Sequence, residues 1–344
     1  MISISKKKFK NKFQKKIINF RKKTKKSLKH NFIPTCFSAK NFSFNFNTFH
    51  FFDGLLFVVV GIFFPIILNI LITYKLIVIN NINRNLSLIM IDFSFAIFLI
   101  CYFLFKYKWY FINQKGLIFY SIILFLPCVT QLLNILFLGL FFKSFAIIFT
   151  KKIIVQDPFW LNVIALISQF ICEAIAIFLI FAYDKKLWLK VKYFFKDGFY
   201  CFLVLGFLIA ANILNVIFNG LKNLTFFSAN QNGLNQFYKT FLTTLIFGFM
   251  TIILAPLFEE LTTRHGIYLL SSNKFLGFLA SSIYFAGMHV ASFGDWENII
   301  SYLGASITLS LVFIIMNGNV MYCITTHSLL NVVAFTFGVI NFNS

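Results

Sequence analysis

The sequence predicts an all-α, polytopic transmembrane bundle of about nine spans (eight to ten) behind a basic N-terminal tail. Three observations predict it. Hydrophobic residues fill 59% of the 344 positions and charged residues only 12%, about half the charged share of a soluble domain. Mean hydropathy is +0.83, more apolar surface than a soluble core of this size can hide, so the excess faces lipid. Apolar runs long enough to cross a bilayer recur along the chain without the alternation of barrel strands. Each such run must be a helix, because lipid offers no partner for a free backbone amide.

The tail comes first. Residues 1–40 hold 14 Lys and Arg and no acid, which is most of the net charge of +21. Phe9, Phe13, Ile17 and Phe20 recur at helical spacing among those lysines. That pattern suits a helix lying on anionic lipid headgroups, and no nucleic-acid partner is expected. The basic run is too long, and too far from the first span, for a cleavable signal peptide. Residues 1–52 are therefore expected as a cytoplasmic tail, rich in Phe and Asn toward its end.

Spans follow near 55–79, 86–107, 117–142, 159–183 and 199–219 in an N-terminal transmembrane region, residues 53–234. Residues 235–344 form a second region, with spans near 240–270, 275–292, 299–316 and 319–340. Pro256 is expected to kink the first of these. Lys185, Lys186, Lys190, Lys192 and Lys196 mark one loop as cytoplasmic, which gives a multi-pass protein of the cell membrane with its N-terminus inside. The six cysteines are scattered without a C-x-x-C pair, so no disulfide framework or structural zinc cluster is expected.

Ionisable groups inside spans are expensive and mark function. This chain gathers them at its end: Glu259, Glu260 and Arg264, then His289, then His327 with Asn331. Glu260 and Arg264 are four apart, which permits an ion pair along one helix face. His327 and Asn331 share a face for the same reason. Counted at about 1.5 Å per residue from the turns near 271–274 and 317–319, Glu259, His289, His327 and Asn331 fall roughly 12–23 Å deep, one band near mid-membrane. A carboxylate there would serve as general base toward water, and an imidazole with a carboxamide would stabilise an oxyanion. Glu259, His289 and His327 would equally suit one zinc ion with a position left for water. His265 reads as a helix-surface residue. Asp92 and Glu173 also lie within spans and read as structural or interfacial groups.

The three elements read E-E-x-x-x-R (259–264), F-x-x-x-H (285–289) and H-x-x-x-N (327–331), in order on membrane segments. The set resembles the CPBP family of CAAX prenyl proteases and bacteriocin-processing enzymes, over about residues 235–340. The resemblance implies an all-helical intramembrane endopeptidase, glutamate- or metal-dependent. In it Glu259 and His289 would activate water, His327 and Asn331 would form the oxyanion site, and Glu260 with Arg264 would support both. The chain departs from the family pattern at His265, where Gly is usual, and at Thr263, where an aromatic is common. The expected partners are the bilayer and a peptide or membrane-protein substrate. Two other readings stand beside it: a transporter or ion-coupled carrier, against which the absence of an internal repeat counts, and a catalytically silent scaffold or immunity protein.

Overall fold

Apart from the short stretch 44–46, the apolar runs described by the computed structural model are helical. The described residues are 44–46, 50–74, 84–108, eight single positions between 122 and 137, 158–222, 233–291 and 294–343. Among them there is no strand. We number the helices α1 (Phe51–Thr73), α2 (Arg84–Tyr107), α3 (Pro158–Tyr183), α4 (Lys186–Lys196), α5 (Tyr200–Lys222), α6 (Phe241–Leu270), α7 (Lys274–Ala291), α8 (Ile299–Ile315) and α9 (Val320–Asn343). Short 3-10 turns at Asn235–Lys239 and Trp296–Asn298 lead into α6 and α8. The expected tail helix at 1–40 and most of the run at 117–142 lie outside the described residues, as does the side chain of Asp92.

Six helical stretches among the described residues are long and apolar enough to cross a membrane: α1, most of α3, Tyr200–Gly220, α6, Trp296–Ile315 and Val320–Ile340. The expected count of about nine is therefore met only in part. The run at 86–107 falls in α2, a helix of 24 residues. The run at 275–292 forms α7, 18 residues long, which carries Lys274 and His289 and is not among the six.

Residues Ser38–Ser344 form one compact unit. Within it, α6 packs against α3, α7 and α9, while α5 packs against α8 and α9. Close approach of α5 to α8 depends on Gly304, where a Cβ would collide with Asn215. Phe57, Val58 and Ile62 of α1 join Ala96, Leu99 and Phe103 of α2, Ile267 and Leu270 of α6, and Leu276 and Ala280 of α7 in one buried cluster. The residues flanking the site thus come from both halves of the chain.

One face of the bundle is closed by residues that the sequence placed in the tail. Phe44 and Phe46 are buried, and Phe44 N donates to Asn317 O at 3.2 Å. The turn between α8 and α9 is tight, with Asn317 at φ 52° and Gly318 at φ 82°. Any side chain at 318 would overlap Phe44 and strain a left-handed backbone. At the opposite end, Tyr74 Oη donates to Glu297 at 2.7 Å and Trp296 Nε1 donates to Asn69 Oδ1 at 3.0 Å, tying α1 to the start of α8.

Candidate active site

The site is built on α6, which departs twice from α-helical geometry. Met250–Leu254 and Glu260–Gly266 are π-helical, with the short α-helical stretch Ala255–Glu259 between them. π-turns of this kind re-aim side chains and recur at functional sites. The first accommodates Pro256. In π register the Ala255 amide bonds Met250 O, five residues back, so the Thr251 carbonyl would next meet position 256, where proline has no N–H. Asn331 of α9 fills that vacancy: its Nδ2 donates to Thr251 O at 2.7 Å. The backbone carbonyl that Pro256 leaves without an amide is thus satisfied by a side chain from another helix.

The second π-turn turns Glu260 and Arg264 wholly inward, both with no exposed side-chain area. Arg264 Nη1 donates to Glu260 Oε1 at 2.9 Å and to Thr263 Oγ1 at 2.9 Å. Its Nη2 reaches across to α8, donating to Ser306 O at 3.2 Å and Ser306 Oγ at 3.3 Å. The guanidinium also lies 4.1 Å from the centre of the Phe285 ring, a cation–π contact. A buried charge pair holds only when such extra bonds accompany it.

The same Glu260 Oε1 takes a second bond, 2.9 Å from His327 Nδ1 on α9. His289 on α7 has its Nδ1 2.8 Å from Phe285 O. A carbonyl and a carboxylate paired with arginine only accept, so each imidazole carries its proton on Nδ1 and, when neutral, presents a bare Nε2. Both Nε2 atoms lie 3.9 Å from the same atom, Glu259 Oε2. That oxygen is buried without a hydrogen-bond partner. Glu259 and His289 keep 15% and 20% of their side-chain area exposed, whereas Glu260 and Arg264 keep none.

Of the six residues singled out from sequence, Glu259, Glu260, Arg264, His289 and His327 are thus linked by contacts from three helices. Asn331 lies on α9 with His327, but its amide nitrogen serves Thr251. The ion pair expected between Glu260 and Arg264 is present. Three nitrogen and oxygen donors converge as a zinc site would need, yet tetrahedral zinc holds its donors about 3.4 Å apart. The 3.9 Å separations exceed that, and among the described residues no group of three or more His, Cys, Asp or Glu is arranged to hold a metal ion.

Other residues around the site were left out of it by the sequence reading. His265, expected on the helix surface, is buried. Its Nε2 lies 3.2 Å from Asp184 Oδ2 and its Nδ1 2.8 Å from Lys190 Nζ, because α4 folds its inner face against the end of α6. Glu173 of α3 is buried and accepts from Gln169 Nε2 at 2.8 Å, and it lies within electrostatic reach of Glu259. Tyr302 of α8 stacks on His289 with ring centres 4.8 Å apart. Nothing in the spacing of Tyr302 or Ser306 marked them; only Glu173, as an acid inside a span, carried a signal.

Residues 237–333 match the family model described as type II CAAX prenyl endopeptidase Rce1-like. An uncharacterized protein of Mycoplasma capricolum subsp. capricolum is 30% identical over 187 residues, covering 51% of this chain and 55% of that relative. The chain therefore aligns with about half the length of the relative it matches. No solved structure matches. The matched segment contains all three motifs, and the match supports the likeness to CPBP/CAAX proteases that those motifs carry.

Proposed function

We propose that this chain is an intramembrane endopeptidase in which Glu259, with His289, activates a water molecule against a peptide bond. The observation that carries the reading is the unpartnered Glu259 Oε2, 3.9 Å from each of two imidazole nitrogens. The gap is too long for a direct hydrogen bond. It joins groups that all accept, so a small molecule that donates fits between them. Water is that molecule.

The chemistry balances with these residues alone. Water gives one proton to Glu259 as its oxygen bonds the scissile carbonyl carbon. The carbonyl electron pair moves to oxygen and later returns as the C–N bond breaks. Glu259 then passes its proton to the departing nitrogen. His289, anchored through Nδ1, orients the attacking water with Nε2. His327 offers the oxyanion a donor only as the imidazolium, because its neutral form commits its single N–H to Glu260. Asn331 retains one amide hydrogen beyond the one given to Thr251 and would point it toward the same oxyanion. Arg264 pairs with Glu260, and Glu260 holds His327.

A CAAX-type activity would bring a prenylated C-terminal peptide to the site; a bacteriocin leader or another membrane protein would present the same chemical bond. The zinc reading would use Glu259, His289 and His327, and both histidines already have the Nδ1 anchoring that zinc ligands use. The donor spacing favours water instead. Comparative proteomics of cells carrying wild-type or Glu259→Ala protein tests the proposal: one substrate should accumulate uncleaved in the variant. An unchanged proteome, together with no peptide cleavage by purified wild-type protein, would leave the scaffold or carrier readings.

A further inference from the structure

We infer that α4 is a docking surface for anionic phospholipid headgroups, held at a fixed height by its buried lysine. The helix runs between the ends of α3 and α5, two stretches long and apolar enough to cross a membrane, which puts it at the bilayer surface. Leu187, Lys190 and Phe194 are buried, and at 100° per residue they fall on one face, within about 60° of one another. Lys185, Lys192 and Lys196 fall within about 40° of one another on the opposite face, and all three are exposed. Lys186 is exposed as well. Trp188 and Phe195 occupy one flank and are 61% and 63% exposed.

This division matches the two layers of a bilayer surface. An indole and a phenyl ring on one flank sit at the acyl boundary, and neighbouring lysines reach the phosphates. Four exposed cations on the helix and its N-cap, and no exposed acid on the helix, give this surface one sign, which selects anionic over zwitterionic lipid. The inner face prevents the helix from rolling. Lys190 Nζ donates to Gly318 O at 2.8 Å and lies 2.8 Å from His265 Nδ1. Phe194 meets Tyr322 of α9 edge to face at 4.8 Å. The lysine stripe is therefore rigidly mounted on the helices that carry Glu260 and His327.

Trp188 is the reporter. Full-length protein is placed in nanodiscs of phosphatidylcholine with equal fractions of brominated phosphatidylglycerol or brominated phosphatidylcholine. The Trp188 signal is taken as the emission lost in Trp188→Phe. It should be quenched about threefold more by the anionic lipid, and the preference should vanish when Lys185, Lys186, Lys192 and Lys196 are all replaced by Gln. Salt at about 1 M should weaken it in the wild type. The basic N-terminal tail is intact in both proteins and cannot account for the difference. Equal quenching by the two lipids, or a preference that survives the four substitutions, overturns the inference. So does a Trp188 signal that responds to a soluble oligonucleotide and not to brominated phosphatidylglycerol. None of these readings requires peptidase activity.

Discussion

Asn331 gives Thr251 the N–H that Pro256 cannot: its amide nitrogen lies 2.7 Å from the Thr251 carbonyl, the group that the π-turn of α6 would otherwise pair with position 256. A residue whose motif position suggested oxyanion chemistry is thus also a strut between α9 and α6. The strut needs the amide at all times, whereas the proposed oxyanion role needs it only during reaction.

Replacing Asn331 with Ala is expected to leave Thr251 O unpaired and to destabilise the protein by about 1–3 kcal/mol. Adding Pro256→Ala restores an amide at 256. The double variant should then recover part of the thermal stability lost by Asn331→Ala, measured by melting in detergent. Strictly additive losses would show that the carbonyl does not couple the two positions.

Glu259→Gln keeps the volume of the side chain and removes its basicity. Cleavage of a peptide substrate by purified, folded protein should fall by roughly 10²–10⁴. His289→Ala is expected to lower turnover comparably while leaving the Glu260–Arg264 pair intact. Single-turnover rates in the two variants check both.

Breaking the buried pair should cost the fold as well as activity. Arg264→Ala strands Glu260 in a site with no exposed area, at an expected cost of about 3–5 kcal/mol. Arg264→Lys should rescue poorly, because one ammonium cannot reach Glu260, Thr263 and Ser306 in the geometry of the planar fork. The yield of monodisperse protein and its melting temperature report the ranking wild type, Lys, Ala.

Metal dependence has a direct check. If water is activated by Glu259 and His289 alone, dialysis against a strong chelator should leave turnover unchanged, and elemental analysis should find zinc well below one per chain. Loss of activity restored by zinc would mean that the side chains close from 3.9 Å to ligand distances.

His265 supplies a control on the packing of α4. Replacing it with Gly, the residue usual in the resembled family, removes one partner each from Lys190 Nζ and Asp184 Oδ2. A buried cation and carboxylate that each lose a hydrogen-bond partner should destabilise the end of α6 by about 1–3 kcal/mol. Faster hydrogen exchange at 265–270 is the expected sign.

Hydropathy and local spacing by themselves determined that the chain is helical and crosses the membrane, and they marked the three motifs. Both follow from short-range rules: lipid forces backbone pairing within each segment, and a helix brings residues four apart to one face. The Glu260–Arg264 pair was legible for that reason. Tertiary structure alone decided that α6 changes register at two π-turns and that Asn331 serves Thr251. It also buried His265. Those facts rest on contacts between helices distant in sequence, where one residue's unsatisfied group meets another's, and no periodicity within a single segment records which helix will lie beside it.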